Sequence, residues 1–201
     1  MELILASGSK RRADLLGNCG YRFEVIKSDA DESLIDEKDP AGLVQALSLL
    51  KARSVFDSLD EDRKRGAVVL GSDTVVALGG EVLGKPENEE DAFRMLKKES
   101  GAVNTVHTGV AVVRYEDGEV RETVCHDAAR VTFADLSDEE IRAYIATGEP
   151  MDKAGAYGIQ GSFSMFIDRV EGNYFTVVGL PVNKAYRLLK EAGILPAAFE
   201  K

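Results

Sequence analysis

Histidine and cysteine are scarce, with two of each in 201 residues. Cys19 and Cys125 are too few for a disulfide framework and neither lies in a CxxC spacing, so buried free thiols in a reducing compartment are expected. Apart from the adjacent Cys125-His126 there is no spacing suited to zinc. His107 and His126 both fall in strand candidates and there is no GxSxG elbow, so structural histidines are a better reading than a nucleophile's partner. No apolar run approaches the length of a bilayer span, and the chain enters Leu3-Ile4-Leu5 without a signal-peptide layout; a cytoplasmic location and no membrane partner are expected. Positive charge is also in deficit: 25 Lys and Arg face 35 Asp and Glu, a net charge of −10. That balance argues against a nucleic-acid binder or an anionic-membrane binder. A phosphorylated ligand would have to be small and met by a focused basic pocket.

Against this background the N-terminal stretch Leu3-Ile4-Leu5-Ala6-Ser7-Gly8-Ser9-Lys10-Arg11-Arg12 is unusual. It reads as a buried strand, a hydroxyl-rich turn and a helix start. A helix N-terminus carries partial positive charge and favours acids, yet Lys10, Arg11 and Arg12 fill its first turn. Free backbone N–H groups, Ser7, Ser9 and the guanidinium forks could together hold an anion there; a solvated basic helix start is the alternative.

Further strands are expected at Phe23–Ile26 and Ala67–Leu70, with a turn at Gly71-Ser72-Asp73-Thr74 and a hairpin from Val75–Leu78 through Gly79-Gly80 into Val82-Leu83. Helices are expected from Pro40 to about Leu59, from Asn88 to Glu99, after the Ser137/Glu140 capping box, and from Pro181 to Gly193. Two long strands, Val103–Tyr115 and Val120–Phe133, meet at a turn, and Phe163–Val170 with Tyr174–Val178 reads as a second hairpin. The mixture implies an α/β chain with a mixed sheet. Its 201 residues suffice for one well-packed domain or two intimate lobes.

Several side chains could carry chemistry. Asp73 follows an apolar strand, where a carboxylate can hold magnesium or orient water, or simply cap a turn. Asp29, Asp31 and Glu32 form an acidic loop from which Glu32 could supply a second metal oxygen. Lys51 interrupts the apolar arc of Val44, Leu47 and Val55; taken alone, snorkelling is the heavier reading and reaching for an anion the other. Gly79 to Pro86 nearly matches a P-loop, but Pro86 offers neither hydroxyl nor N–H, so the motif is rejected and Lys85 by itself reads as exposed. The segment from Gly148 to Gly161 holds four glycines, and Gln160 in it could read a base edge.

Taken together these stretches resemble the Maf-type nucleoside triphosphate pyrophosphatases, related in fold to the inosine triphosphatase-like enzymes. The resemblance rests on Leu5 to Arg12, Lys51-Ala52, Gly71-Ser72-Asp73-Thr74, Gly84-Lys85-Pro86, the block Glu149-Pro150-Met151-Asp152-Lys153-Ala154-Gly155-Ala156-Tyr157-Gly158-Ile159-Gln160-Gly161, and Val178-Gly179-Leu180-Pro181. Lys10 stands where the family usually has proline, and Ser72 where alanine is common. The resemblance implies a strongly bent mixed sheet with flanking helices around a deep cleft, one domain over residues 1–201, and a homodimer. It implies hydrolysis of dTTP and UTP to monophosphate and pyrophosphate with Mg2+ or Mn2+. Asp73 would be the general base, a metal ligand or both. Glu32 would be a metal-binding acid, Arg12, Lys51 and Lys85 phosphate contacts, and Arg11, Thr74 and Gln160 the substrate-choice residues. A nucleotide-binding regulator of septum formation and a 7-methyl-GTP pyrophosphatase are the competing expectations; Gln160 and Thr74 argue against the latter.

Overall fold

The computed structural model describes residues 1–199. Among the described residues seven strands form one mixed sheet in the order β2-β1-β3-β5-β6-β7, with β4 paired to β3. These are β1 (Glu2–Leu5), β2 (Glu24–Val25), β3 (Ala67–Leu78), β4 (Glu81–Leu83), β5 (Val103–Glu116), β6 (Glu119–Phe133) and β7 (Ile167–Glu171). The apolar β1 runs parallel to both β2 and β3, with Leu5 opposite Val25 on one side and Leu70 on the other. β4 and β7 pair antiparallel with β3 and β6. The mixed α/β architecture expected from the sequence is therefore present.

Two segments differ from the expectation. Gly71-Ser72-Asp73-Thr74 is no turn: β3 continues through it as one strand of 12 residues. The turn residues are there for contacts, described below. The second hairpin is also absent. Residues 162–166 form a 3-10 turn, only Ile167–Glu171 is extended, and Tyr174–Val178 is a short helix. Asn173 explains the last change, since its side-chain oxygen accepts from the Phe175 N–H (3.0 Å) and its carbonyl from the Thr176 N–H (3.0 Å), which begins a helical turn. The expected hairpin turn at Gly79-Gly80 is present, both glycines having positive φ (60° and 88°) that suits residues without a Cβ.

The chain divides into two compact units. The first comprises residues 1–73, 108–127 and 179 onward. Its helices include α1 (Lys10–Asn18), α2 (Pro40–Ser58), α3 (Glu61–Lys64) and the C-terminal α7 (Val182–Glu191). Asp39 caps α2 by accepting from the Gly42 N–H, and Pro40 occupies its first turn without losing a bond. Ala52, Val55 and Phe56 of α2 pack with Ile4, Val69, Ala111 and Val113 of the sheet and with Ala6 just after β1. The helix can lie this close because β3 and β5 carry glycine beneath it. A Cβ at Gly71 would stand 2.2 Å from the Ser48 carbonyl oxygen, and one at Gly109 2.0 Å from that of Val44. Of the two thiols, Cys19 is exposed at the end of α1 and Cys125 half-buried, which corrects the expectation of buried cysteines.

The second unit comprises residues 74–107 and 128–178. Here α4 (Glu89–Glu99) and α5 (Asp138–Ile145) pack with the strand ends around Val76, Val106, Val131 and Phe133. The capping box of α5 is formed as expected, Ser137 and Glu140 each accepting from the other's backbone N–H. Phe163 sits at the centre of an aromatic cluster, with ring centroids of Phe133, Tyr144, Tyr157 and Phe166 between 4.8 and 5.5 Å away. Tyr174–Val178 is α6 and closes this unit.

Candidate functional site

The first unit concentrates charge at the C-terminal end of β1 and the middle of β3. Ser7 follows β1 and is buried; its Oγ accepts from the Ser9 N–H (3.2 Å) and from Arg12 Nη1 (3.3 Å). Ser9 is the N-cap of α1, which has no acidic residue in its first turn and no side-chain cap bond. Lys10 opens α1, so replacing the family's usual proline leaves the helix start in place. Arg12 is only 9% exposed, and its Nε donates to the Gly179 carbonyl (2.8 Å). Burial lowers the guanidinium's proton affinity; Asp73 opposes this, Arg11 adds to it, and Glu32 opposes it weakly. Arg12 still remains a cation at any physiological pH.

Asp73 projects from mid-strand and is 8% exposed. Lys51 of α2 meets it: Nζ donates to Asp73 Oδ1 and lies 2.9 Å from Glu32 Oε1. The Lys51 side chain is 15% exposed, so it turns inward to two carboxylates instead of snorkelling, which corrects the reading from its helix alone. Its placement follows from α2's close seat on the sheet, because Ser48 and Ala52, which touch the Gly71 position, bracket Lys51 in sequence. Glu32 begins a short 3-10 turn capped by Asp31, whose carboxylate accepts from the Ser33 N–H and hydroxyl. Those bonds hold the Asp31 carboxyl below its ordinary range.

Ser72 makes contacts that its neighbours in sequence do not display. Its hydroxyl lies 2.8 Å from the Gly109 carbonyl and 3.2 Å from that of Gly179, the carbonyl that also receives Arg12. A mid-strand serine between two carbonyls thus ties β5 and residue 179 to β3, a role an alanine there could not fill. The signal is a hydroxyl that directly follows the apolar run Ala67–Leu70 and Gly71. Among the described residues no group of three or more His, Cys, Asp or Glu side chains forms a metal cage. Glu32 and Asp73 instead offer a two-carboxylate set, the kind that magnesium completes with phosphate oxygens and water.

In the second unit Thr74 is half-buried on β3, while Lys85 and Gln160 are exposed. The block from Gly148 to Gly161 is a chain of tight turns pinned from inside. The Gly155 N–H donates to the Gly84 carbonyl (3.0 Å), next to Lys85. The Tyr144 hydroxyl donates to Glu149 Oε1 (3.1 Å) and accepts from the Gly158 N–H (3.2 Å). Glu149 Oε2 accepts from both the N–H (3.0 Å) and the hydroxyl (2.9 Å) of Ser162. Burial first, and then the nearby Glu149, push the Tyr144 phenol upward, so it stays a donor. A Cβ at Gly161 would fall 1.9 Å from Glu149 Oε1, so a side chain there would push the Glu149 carboxylate out of these bonds. A second anchor was missed from sequence: Tyr157 donates to Asn104 Oδ1 (3.2 Å), and Asn104 Nδ2 donates to Glu99 Oε1 (2.9 Å). The available signal was spacing, since Glu99 shares the buried face of α4 with Ala92 and Leu96.

The family model described as Maf-like protein matches residues 2–192. The chain belongs to the Maf family. It is 47% identical over 193 residues to a protein of Moorella thermoacetica named dTTP/UTP pyrophosphatase, covering 96% of each chain. Identity is 45% over 196 residues to one of that name from Clostridium novyi (96% of this chain, 99% of that protein). It is 44% over 199 residues to one from Aquifex aeolicus (99% of this chain, 100% of that protein).

Proposed function

We propose that this protein is a nucleoside triphosphate pyrophosphatase that hydrolyses dTTP and UTP to the monophosphate and pyrophosphate. One observation carries the reading: a mostly buried carboxylate, Asp73, is held by the ammonium of Lys51, with Glu32 on the same ammonium. The names of the family relatives support the choice of nucleotide.

In this mechanism Asp73 accepts a proton from a water as its oxygen attacks the α-phosphorus. The bond from that phosphorus to the bridging oxygen of the β-phosphate breaks, and pyrophosphate leaves. Lys51 positions the carboxylate and then offers its charge to the phosphates. Ser7, Ser9 and Arg12 bind phosphate oxygens with the free N–H groups at the start of α1. Lys85 is a further phosphate contact. Arg11, Thr74 and Gln160 choose the base and sugar, Gln160 through its paired amide donor and acceptor. A Mg2+ or Mn2+ ion would be held by Glu32 and Asp73, and when bound it neutralises phosphate charge. Cytoplasmic location, a homodimer and residues 1–201 acting as one functional domain complete the reading. No helix among the described residues is long and apolar enough to cross a membrane.

The test is a panel of common and modified triphosphates with Mg2+ or Mn2+, scoring pyrophosphate against orthophosphate. Pyrophosphate from dTTP and UTP in preference to 7-methyl-GTP is expected. Orthophosphate release would overturn the reaction class, and tight binding without release would favour a nucleotide-binding regulator. Sedimentation of the protein with and without dTTP checks the dimer.

A further inference from the structure

The chain Glu99–Asn104–Tyr157 lies wholly inside the second unit and ends on the backbone that carries Gln160. All three residues are buried, Glu99 being 1% exposed. Glu99 Oε1 accepts from Asn104 Nδ2, and Asn104 Oδ1 accepts from the Tyr157 hydroxyl. Glu99 Oε2 has no hydrogen-bond partner among the described residues. A carboxylate sealed from water with one amide donor is costly, whereas a protonated acid uses one oxygen as a carbonyl acceptor and leaves little charge to solvate. Tyr157 is fixed at its other end by its ring, edge-on to Phe133 (4.7 Å) and against Phe163 (5.4 Å). It directly precedes Gly158, whose N–H bonds to Tyr144, and lies three residues before Gln160.

We propose that Glu99 is a positioning residue for substrate choice: through Asn104 it fixes the Tyr157 hydroxyl, and through Tyr157 the backbone from Ala156 to Gly161 that presents Gln160. This inference rests on the reading of Gln160 as a base-contacting residue. It also makes the loop's order depend on proton occupancy at Glu99. Burial pushes that carboxyl up to about 8, against smaller opposing pulls from Asn104 and Lys98. The charged groups around it have other engagements. On α4 itself, Lys98 pairs with Glu81 and Lys97 with Asp138. On α5, Arg142 covers the Phe93 ring. Asp135, after β6, lies beside Gly101 and would raise Glu99 further if it came closer. Tyr157 is the titratable group joined to Glu99 through hydrogen bonds, and burial followed by the Glu99 charge drives its phenol upward, so it remains a donor while Glu99 titrates. Loss of the Glu99 proton leaves an unpaired buried anion that draws in water and loosens the Tyr157 anchor.

The experiment compares the full-length wild type, Glu99→Gln and Tyr157→Phe between pH 6.5 and 9. Two readouts are taken: amide hydrogen exchange in residues 154–162, divided by the intrinsic rate, and the kcat and KM for dTTP and dCTP with Mg2+. In the wild type, exchange should quicken above pH 8, with KM for dTTP rising about fivefold, the equivalent of one lost hydrogen bond, and the preference for dTTP over dCTP narrowing. Glu99→Gln keeps the acceptor for Asn104 and cannot ionise, so both readouts should be flat with pH. Tyr157→Phe keeps the ring and loses the donor, so loop exchange and KM should be raised at every pH. If Glu99→Gln fails to fold, the wild-type pH series and Tyr157→Phe still decide. A Glu99→Gln protein that keeps the alkaline rise, a Tyr157→Phe protein that behaves as wild type, or a loop that loosens without any change in nucleotide preference overturns the proposal. No pyrophosphate from dTTP or UTP with wild type would sink the base-reading assignment itself. The exchange data would then decide whether Glu99 holds the loop: pH-linked loosening abolished by Glu99→Gln supports that hold, and exchange unaffected by the substitution overturns it.

Discussion

Replacing Gly71 by alanine tests how Lys51 comes to meet Asp73. The added Cβ would lie 2.2 Å from the Ser48 carbonyl oxygen and 2.9 Å from both the Cβ and the backbone N of Ala52. Most of these are backbone atoms in a helix interior, so no side-chain rotation relieves the overlap. Restoring at least 3.0 Å requires α2 to retreat by 0.8 Å or more, the difference between 3.0 and 2.2 Å. Overpacking of a close-packed interface costs about 1–3 kcal/mol, and a backbone clash belongs at the upper end. For a chain of this size, about 3 kcal/mol lowers Tm by roughly 6–12 °C. The retreat carries Lys51 with it, and a catalytic group displaced by about 1 Å costs roughly a hundredfold in rate. Gly17→Ala is the control, since its Cβ meets nothing within 4 Å in α1. It should be neutral or slightly stabilising with unchanged turnover. Thermal melts and initial rates of pyrophosphate release at 25 °C provide the measurement. Wild-type Tm and kcat in Gly71→Ala would refute the packing account. A lowered Tm with unchanged kcat would refute the link from that contact to Lys51.

Asp73→Asn should lower kcat about 10²–10⁴-fold with nucleotide binding largely kept, read by initial rates and by titration calorimetry; near-wild-type turnover would sink its role as base. Lys51→Met keeps the apolar stem but strands two carboxylates, and should cut kcat/KM for dTTP by about a hundredfold or more. Phe163→Ala removes the hub of the aromatic cluster and should cost roughly 3–5 kcal/mol in urea unfolding. Glu99 makes stability pH-dependent with a definite sign. Its carboxyl is raised from 4.5 to about 8 in the fold, so between those values the native state holds a proton that the unfolded chain has released. Stability should fall as pH rises through that window, by on the order of 5 kcal/mol in all, and Glu99→Gln should flatten the decline.

Elements with regular periodicity and caps were legible: β1, α2 with Asp39-Pro40, α4, the long β5–β6 pair, and the α5 capping box. The miss at residues 71–74 has a clear physical origin. Gly71, Ser72 and Asp73 are turn formers by local preference, but here they serve a helix seat, two carbonyls and a lysine, none of which a linear pattern displays. Tyr174–Val178 is rich in aromatic and β-branched residues, yet Asn173 turns it into a helix. Of the candidate site, the residue types and their family order could be read along the chain, and the basic start of α1 could be flagged from charge alone. The partner of Lys51 could not, since Asp73 lies 22 positions away. Glu99 was hidden because a glutamate near a helix C-terminus reads as surface until its place on the buried face is counted.

The unbroken course of β3 bears on how this protein would lose activity. Asp73 sits in the interior of a 12-residue strand, in a sheet order that places β3 between β1 and β5. β1 pairs with Ala67–Leu70 on one side of it along the strand and β4 with Val76–Leu78 on the other, so the carboxylate sits within a continuous strand and not on a loop that frays ahead of the sheet. On warming, turnover by this carboxylate should persist up to the main unfolding transition and vanish with it, with no earlier inactivation phase arising from β3. Heat sensitivity that precedes unfolding would then have to begin elsewhere, in segments such as the Glu32 turn, whose residues are exposed.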